Sequence, residues 1–157
     1  IPEIVKGVRE KLKSQLRRHP VTSEFSGDFP LVPTDYMMME QVFTNLFSNS
    51  IKYAPENTPI RIFAGVKGDQ ALITVSNQSP NVPEEHLKHI FDKFYRVTEA
   101  DKITGTGLGL SICKGFIEAH EGKIWAENLS DGLAFNILLP LTLEGERPKM
   151  PGEENDG

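Results

Sequence analysis

The chain reads as an α/β protein, a two-layer sandwich in which a mixed, mostly antiparallel sheet is covered on one face by about three helices. Three observations predict this. Residues 36–53 carry an apolar stripe of Met39, Val42, Phe43, Leu46, Phe47 and Ile51 at three- and four-residue spacing, the mark of a helix that buries one face. Two hairpin patterns follow it, 60–66 with 71–76 around Lys67-Gly68-Asp69-Gln70, and 122–127 with 133–140 around Ser130-Asp131-Gly132. A further helical pattern runs from a glycine-rich stretch at 105–110 to His120.

From the N-terminus, residues 2–18 predict a basic amphipathic helix with Ile4, Val5, Val8, Leu12 and Leu16 on one side. His19-Pro20 ends it, because the residue before a proline is pushed out of the helical region. Residues 21–25 and 31–33 read as short strands on either side of a Gly27-Asp28 turn, and Thr34 or Asp35 can cap the 36–53 helix. Ala54-Pro55-Glu56-Asn57 breaks that helix. The tail from Leu141 is rich in Glu, Pro and Gly and is expected to be disordered, giving one domain at 1–140 and a polar tail at 141–157. No internal repeat is present.

At 157 residues, 38% hydrophobic and 25% charged, the chain has the composition of one globular core. Its net charge of -5 argues against nucleic acid as the main partner. No apolar run approaches the roughly 20 residues needed to span a bilayer, and no signal peptide opens the chain, so no direct membrane contact is expected. Cys113 is the one cysteine, which excludes an internal disulfide and reads as a small buried hydrophobe. The four histidines lack metal-ligand spacing: His86 and His89 are expected to face solvent, and His120 to serve as a helix C-cap or surface residue. Trp125 reads as sheet packing, and Asn128-Leu129-Ser130 as a chance sequon.

Two features carry chemistry. In Gly105-Thr106-Gly107-Leu108-Gly109-Leu110, glycines at every second position permit positive φ and close backbone approach, while the helix start behind them presents free N–H groups and a positive dipole end. Phosphate suits such a cradle; the bland alternative is a flexible loop before a core helix. On the 36–53 helix, Gln41, Asn45, Ser48, Asn49 and Lys52 share the face opposite the apolar stripe. Solvated faces are usually Lys and Glu, since Asn in a helix interior costs about half a kcal/mol relative to Ala. Two Asn a turn apart read as amide oxygens for a hard cation such as magnesium, with Lys52 for a phosphate, or else as a plain exposed face.

The residues themselves carry a resemblance. Glu40-Gln41-Val42-Phe43-Thr44-Asn45-Leu46-Phe47-Ser48-Asn49-Ser50-Ile51-Lys52-Tyr53 looks like the N box of sensor histidine kinases. Phe91-Asp92-Lys93-Phe94-Tyr95-Arg96 resembles their F box and residues 105–110 their second glycine box, in the same order and spacing. Arg18-His19-Pro20, Phe94-Tyr95-Arg96 and Ile124-Trp125-Ala126-Glu127-Asn128 resemble the potassium-responsive branch.

Spanning residues 1 to about 140, the resemblance implies a Bergerat-type ATP-binding fold that uses ATP and Mg2+ and transfers the γ-phosphate to a histidine. By the same resemblance, Asn45, Asn49 and Lys52 are the catalytic residues, with Asn49 as metal ligand. Tyr53, Asn77, Asn81, Phe91, Phe94, Lys102, Gly105, Thr106, Gly107, Leu108, Gly109 and Leu110 are the nucleotide-binding ones; Tyr53 either lines the nucleotide or packs beneath it. Residues 97–104, with Glu99, Asp101, Lys102 and Thr104, would be a lid that orders on nucleotide. No histidine stands in the family's acceptor context. The expected partners are therefore a separate dimerisation and phosphoacceptor domain and a response regulator, with this chain a monomeric cytosolic domain of a membrane-bound sensor.

One segment departs from the family. Where its members place Asp-X-Gly-X-Gly around the adenine, this chain reads Asn77-Gln78-Ser79-Pro80-Asn81. An Asn amide oxygen can accept from an exocyclic amine but carries no charge, and Asn81 tolerates a left-handed backbone more readily than Ser79. Three readings follow: a histidine kinase catalytic domain, a kinase-like binding module with weakened nucleotide affinity, or an ATP hydrolase. The hydrolase reading meets Asn45 where related ATPases carry a Glu base, and an amide cannot take a proton from water.

Overall fold

Alternation along the strands decides which face of the sheet is covered. In β2 (Ile60–Lys67) the residues Ile60, Ile62 and Ala64 are buried, and in β3 (Gln70–Asn77) Ala71, Ile73, Val75 and Asn77 are. The structure is a computed structural model and describes residues 1–95 and 109–142. Its five-stranded sheet also contains β1 (Val21–Phe25), β4 (Lys123–Leu129) and β5 (Gly132–Pro140), in the order β1-β2-β3-β5-β4. β1 lies parallel to β2, from Val21 beside Ile60 to Phe25 beside Ala64, and every other pairing is antiparallel. A parallel neighbour needs a crossover, which the helix between the two strands supplies.

That helix is α2 (Tyr36–Tyr53), with the bounds the apolar stripe predicts. Asp35 caps it: its carboxylate Oδ1 accepts the Met38 N–H at 2.9 Å. Met39, Val42, Phe43, Leu46 and Phe47 are fully buried against the inner face of the sheet, where Val75, Phe135, Ile137 and Leu139 meet them. Met38 is buried as well, beyond the predicted stripe, whereas Ile51 is half-buried at its margin. Preceding it, α1 (Pro2–Lys11) adds Ile4, Val5 and Val8. A single-turn α3 (Glu84–Leu87) leads out of the segment after β3, and α4 (Gly109–Ala119) contributes Cys113 and Ile117. Layering and helix count match the sandwich that the sequence predicts. Among the described residues, no helix is long and apolar enough to cross a membrane.

Two expected elements differ. The first helix stops at Lys11 and gives way to a 3-10 turn, Gln15–Arg18, which still brings the half-buried Leu16 onto the core. Periodicity alone does not register the change, because Leu12 and Leu16 stay on the same side of the chain. Residues 31–33 form no strand: Leu31 is 97% exposed, and no neighbour offers a ladder of hydrogen bonds there. At the C-terminal end, the Leu141 N–H still donates to Asp69 O at 3.0 Å. The expected tail beyond residue 142 lies outside the described residues.

The end of α4 has an unusual division of labour. Gly122 N–H reaches Ile117 O at 3.0 Å and Glu121 N–H reaches Glu118 O at 3.0 Å, the two bonds of a Schellman cap. The left-handed position, φ 60°, is held by Glu121, while the glycine follows it. Gly122 is fixed by space, since a Cβ there would stand 2.4 Å from Leu138 O. We therefore expect Glu121→Gly to stabilise the chain by about 1 kcal/mol through release of left-handed strain. Gly122→Ala should instead cost about 3 kcal/mol by overpacking. Urea unfolding midpoints at unchanged slope would measure both.

Candidate functional site

Helices α2 and α4 lie antiparallel and are tied at three levels. Asn45 Nδ2 donates to Gly109 O at 3.1 Å at one end. In the middle, Cys113 Sγ approaches Val42 O at 3.7 Å. At the far end, the Asp35 N–H donates to His120 Nε2 at 2.9 Å. Burial holds the Cys113 thiol up at about 12 by disfavouring the thiolate, with a hydrogen bond from Asn45 opposing the rise. Cys113 is thus the inert buried hydrophobe that the sequence predicts.

The polar stripe of α2 divides into distinct tasks. Asn45 uses both ends of its amide, its Oδ1 accepting from Gln41 Nε2 at 2.7 Å and its Nδ2 holding Gly109 O at 3.1 Å. Asn49, one turn on and half-buried, has no hydrogen-bond partner among the described residues. Lys52 is exposed, with Nζ 5.0 Å from the centre of the Tyr53 ring, a cation–π contact that leaves its N–H groups to solvent. Tyr53 is 36% exposed.

Of the glycine tract, Gly109 and Leu110 belong to α4, while Gly105, Thr106, Gly107, Leu108 and the expected lid at 97–104 with Lys102 lie outside the described residues. Gly109 has a negative φ, and a Cβ on it would meet only Asn45 Cγ, at 4.0 Å. A side chain at Gly109 would therefore fit in ordinary contact with Asn45. Leu110 is half-buried against the core. Among the F-box residues, Phe91 is buried edge-on to Phe135, ring centres 6.2 Å apart. Phe94 is 66% exposed at φ 63°. Between the two sides of the F box, His86 Nδ1 pairs with the Tyr95 hydroxyl and His89 sits 5.4 Å from the Tyr95 ring centre, so His86 is a half-buried support of Tyr95.

Period-two alternation carries Asn77 to the core side of β3, where α2 lies beneath it. There its Nδ2 donates to the buried Ser50 Oγ at 2.7 Å, and its Oδ1 accepts the Ser79 N–H at 2.8 Å. Ser50 was not foreseen, yet a signal existed: it is a hydroxyl at heptad spacing from Phe43 on the buried face. Its own hydrogen goes to Leu46 O at 3.0 Å. Ser79 and Asn81 both keep negative φ, so neither replaces glycine by adopting a left-handed backbone. Asn81 acts as a clamp instead, its Nδ2 bridging Leu129 O at 3.1 Å and Gly132 O at 2.8 Å. Asn128 reciprocates with the Val82 main chain, 2.8 Å and 2.7 Å, which gives the chance sequon a structural task. Trp125 lies on the outer face of the sheet opposite Asn136, 38% exposed.

His120 corrects another expectation. It caps α4 as foreseen but is only 1% exposed, with both ring nitrogens engaged. Among the described residues no group of three His, Cys, Asp or Glu side chains could hold a metal ion.

An Asp35-capped helix tied through Asn45 to a helix that opens on Gly109, on a β1-β2-β3-β5-β4 sheet, can be set against known proteins. Residues 34–143 match the family described as histidine kinase-, DNA gyrase B-, and HSP90-like ATPase. The catalytic domain of the histidine kinase ThkA superposes with a TM-score of 0.80 at 32% identity, over 90% of this chain and 92% of that one. The chain belongs to the histidine kinase catalytic domains. ThkA in complex with the response regulator protein TrrA aligns at a TM-score of 0.79 and 30% identity, over 93% of this chain and 42% of that one. Phytochrome-like protein Cph1 of Synechocystis is 33% identical over 90% of this chain. Sensor protein KdpD of Clostridium acetobutylicum is 33% identical over 91% of it, in keeping with the branch-level resemblance of the sequence. The chain spans 19% and 16% of those two proteins. Domains of this family bind ATP.

The clamp makes a direct prediction. Asn81→Ala removes donors from two carbonyls and should cost about 2 kcal/mol, because orphaned acceptors cost more than a formed bond gains. Asn81→Gly should cost at least as much, and thermal unfolding of the two variants beside wild type checks it.

Proposed function

We propose that this chain is the ATP-binding and phosphate-transferring domain of a two-component sensor histidine kinase, passing the γ-phosphate of Mg-ATP to a histidine on a separate dimerisation and phosphoacceptor domain. The observation that carries it is the split between the two amides of α2. Asn45 is spent on holding the first residue of α4, while Asn49 keeps an unpartnered amide oxygen one turn away. An amide oxygen suits a hard cation, so Asn49 would hold magnesium and Lys52 would meet the phosphates. When bound, magnesium supplies charge neutralisation at the phosphate oxygens. The residues of the chain would position rather than react: Asn45 and Gly109 fix the opening of α4, and the sequence Gly105-Thr106-Gly107-Leu108 before it would offer main-chain donors to the phosphates.

The adenine would sit against Asn77, Asn81, Phe91, Phe94 and Tyr53. Asn77 has one lone pair of Oδ1 committed to Ser79 and a second for an exocyclic amine. His120 is excluded as an internal acceptor, since a buried imidazole with both nitrogens bonded has no free nucleophile. The whole kinase would place this domain in the cytosol, pair it with its own acceptor domain and signal through a response regulator. The domain boundary at residue 140, the monomeric state of the isolated domain and the potassium-responsive branch belong to the same proposal.

Calorimetric titration with Mg-ATP is the test, and weak but measurable binding is expected. Asn49→Ala should reduce phosphate transfer to the partner domain by about tenfold or more while changing stability by no more than about 0.5 kcal/mol. A lowered melting temperature with nucleotide binding intact would make Asn49 structural. Asn77→Asp should tighten binding about fivefold by restoring a charge-assisted contact, the Ser50 hydroxyl turning its hydrogen from Leu46 O to the new carboxylate. No binding at millimolar nucleotide by either form would leave the chain as a protein-interaction module.

A further inference from the structure

His120 stands 75 residues from Asn45 in sequence and at the opposite end of the helix pair, yet the two residues close the same interface. The hydrogen bonds fix its chemical form. Nδ1 lies 2.7 Å from Phe116 O, an acceptor, so Nδ1 carries the hydrogen; Nε2 lies 2.9 Å from the Asp35 N–H, a donor, so Nε2 carries the lone pair. The ring is therefore neutral and in the Nδ1–H form. One nitrogen belongs to α4, through the carbonyl a turn before it. The other belongs to α2, through the main chain of its capping residue.

This matters for register. Asp35 and Asn45 are ten residues apart along one helix and His120 and Gly109 eleven apart along the other, about 15 Å and about 16 Å of rise. Apolar contacts between the helices resist separation but resist sliding weakly, because side-chain ridges offer neighbouring minima along the axis. A directional bond at the far end removes that freedom. We propose that His120 is a positioning residue: a neutral imidazole that sets the axial register of α4 on α2 and thereby fixes where Asn45 meets Gly109. The inference rests on the reading of that junction as the nucleotide site.

Two near-isosteric variants separate positioning from packing. His120→Gln keeps an acceptor for the Asp35 N–H at the distal end of the side chain, whereas His120→Asn keeps a donor for Phe116 O and loses the bond to α2. Nitrogen NMR of the full chain without nucleotide should show His120 neutral with the hydrogen on Nδ1. The Asn45 side-chain amide resonances should shift in His120→Asn and stay close to wild type in His120→Gln. Calorimetry with magnesium and a non-hydrolysable ATP analogue, run well below the melting temperature of each variant, should give about fivefold weaker binding for His120→Asn and less than twofold for His120→Gln. Equal binding by all three proteins would overturn the proposal and leave His120 as core filling, whatever the melting temperatures do. A hydrogen found on Nε2 would overturn it too. If wild type itself binds no analogue, the nucleotide reading falls and takes the inference with it, a failure distinguished by occurring in the wild-type arm.

Discussion

The antiparallel seam between α2 and α4 is the constraint on which the candidate site depends. Its three ties use different chemistry at each level: a side-chain amide on a carbonyl, a thiol on a carbonyl, and a main-chain N–H on an imidazole. Apolar contact supplies the bulk of the attraction, as in any helix pair, but it does not choose between nearby registers. The polar ties do. Once they close, the Asn45 amide stands at the first residue of α4.

A second constraint comes from the sheet. Strand alternation commits every other residue of β3 to the interior, and the last of them is polar. Asn77 is tolerated there because α2 presents Ser50 and the following chain presents the Ser79 N–H, so both ends of the amide are satisfied. The segment that lacks the family's glycines is consequently held by amides: Asn81 and Asn128 pin it to the β4–β5 turn. Gly132 makes that close approach feasible, since a Cβ there would lie 1.9 Å from Asn77 O.

Much of this was legible before any coordinates, and the pattern of success is physical. The bounds of α2, its Asp35 cap, both hairpins and the burial of Cys113 follow from local signals: periodicity, turn chemistry and capping. What escaped is what depends on distant chain. Residues 31–33 look like a strand but have no partner, and the helical pattern at 12–18 tightens into a 3-10 turn without losing its apolar side. His120 reads as a polar residue at a helix end, because the donor that buries it is 85 residues away. In the site, Asn45 and Asn49 were picked out together on one helix face, and sequence spacing could not tell which amide would be spent on Gly109. For Asn81, spacing gives no sign that its Nδ2 also clamps Leu129 O and Gly132 O, because those carbonyls lie 48 and 51 residues further along the chain.

The placement of β5 between β3 and β4 has a consequence for biosynthesis. β3 ends at Asn77, but its neighbour β5 begins at Gly132, so of the five strands the last to be translated is one that lies inside the sheet. A nascent chain that has reached β4 therefore carries two strands whose edges await β5, one already in the β2–β3 hairpin and one with no neighbour at all. Such edges are templates for wrong pairing, and contacts this far apart in sequence form slowly. The stretch from Gly132 to Pro140 then completes both pairings at once. Truncation inside it would not trim the domain; it would leave the ribosome-bound or released product with its central seam open and exposed to aggregation.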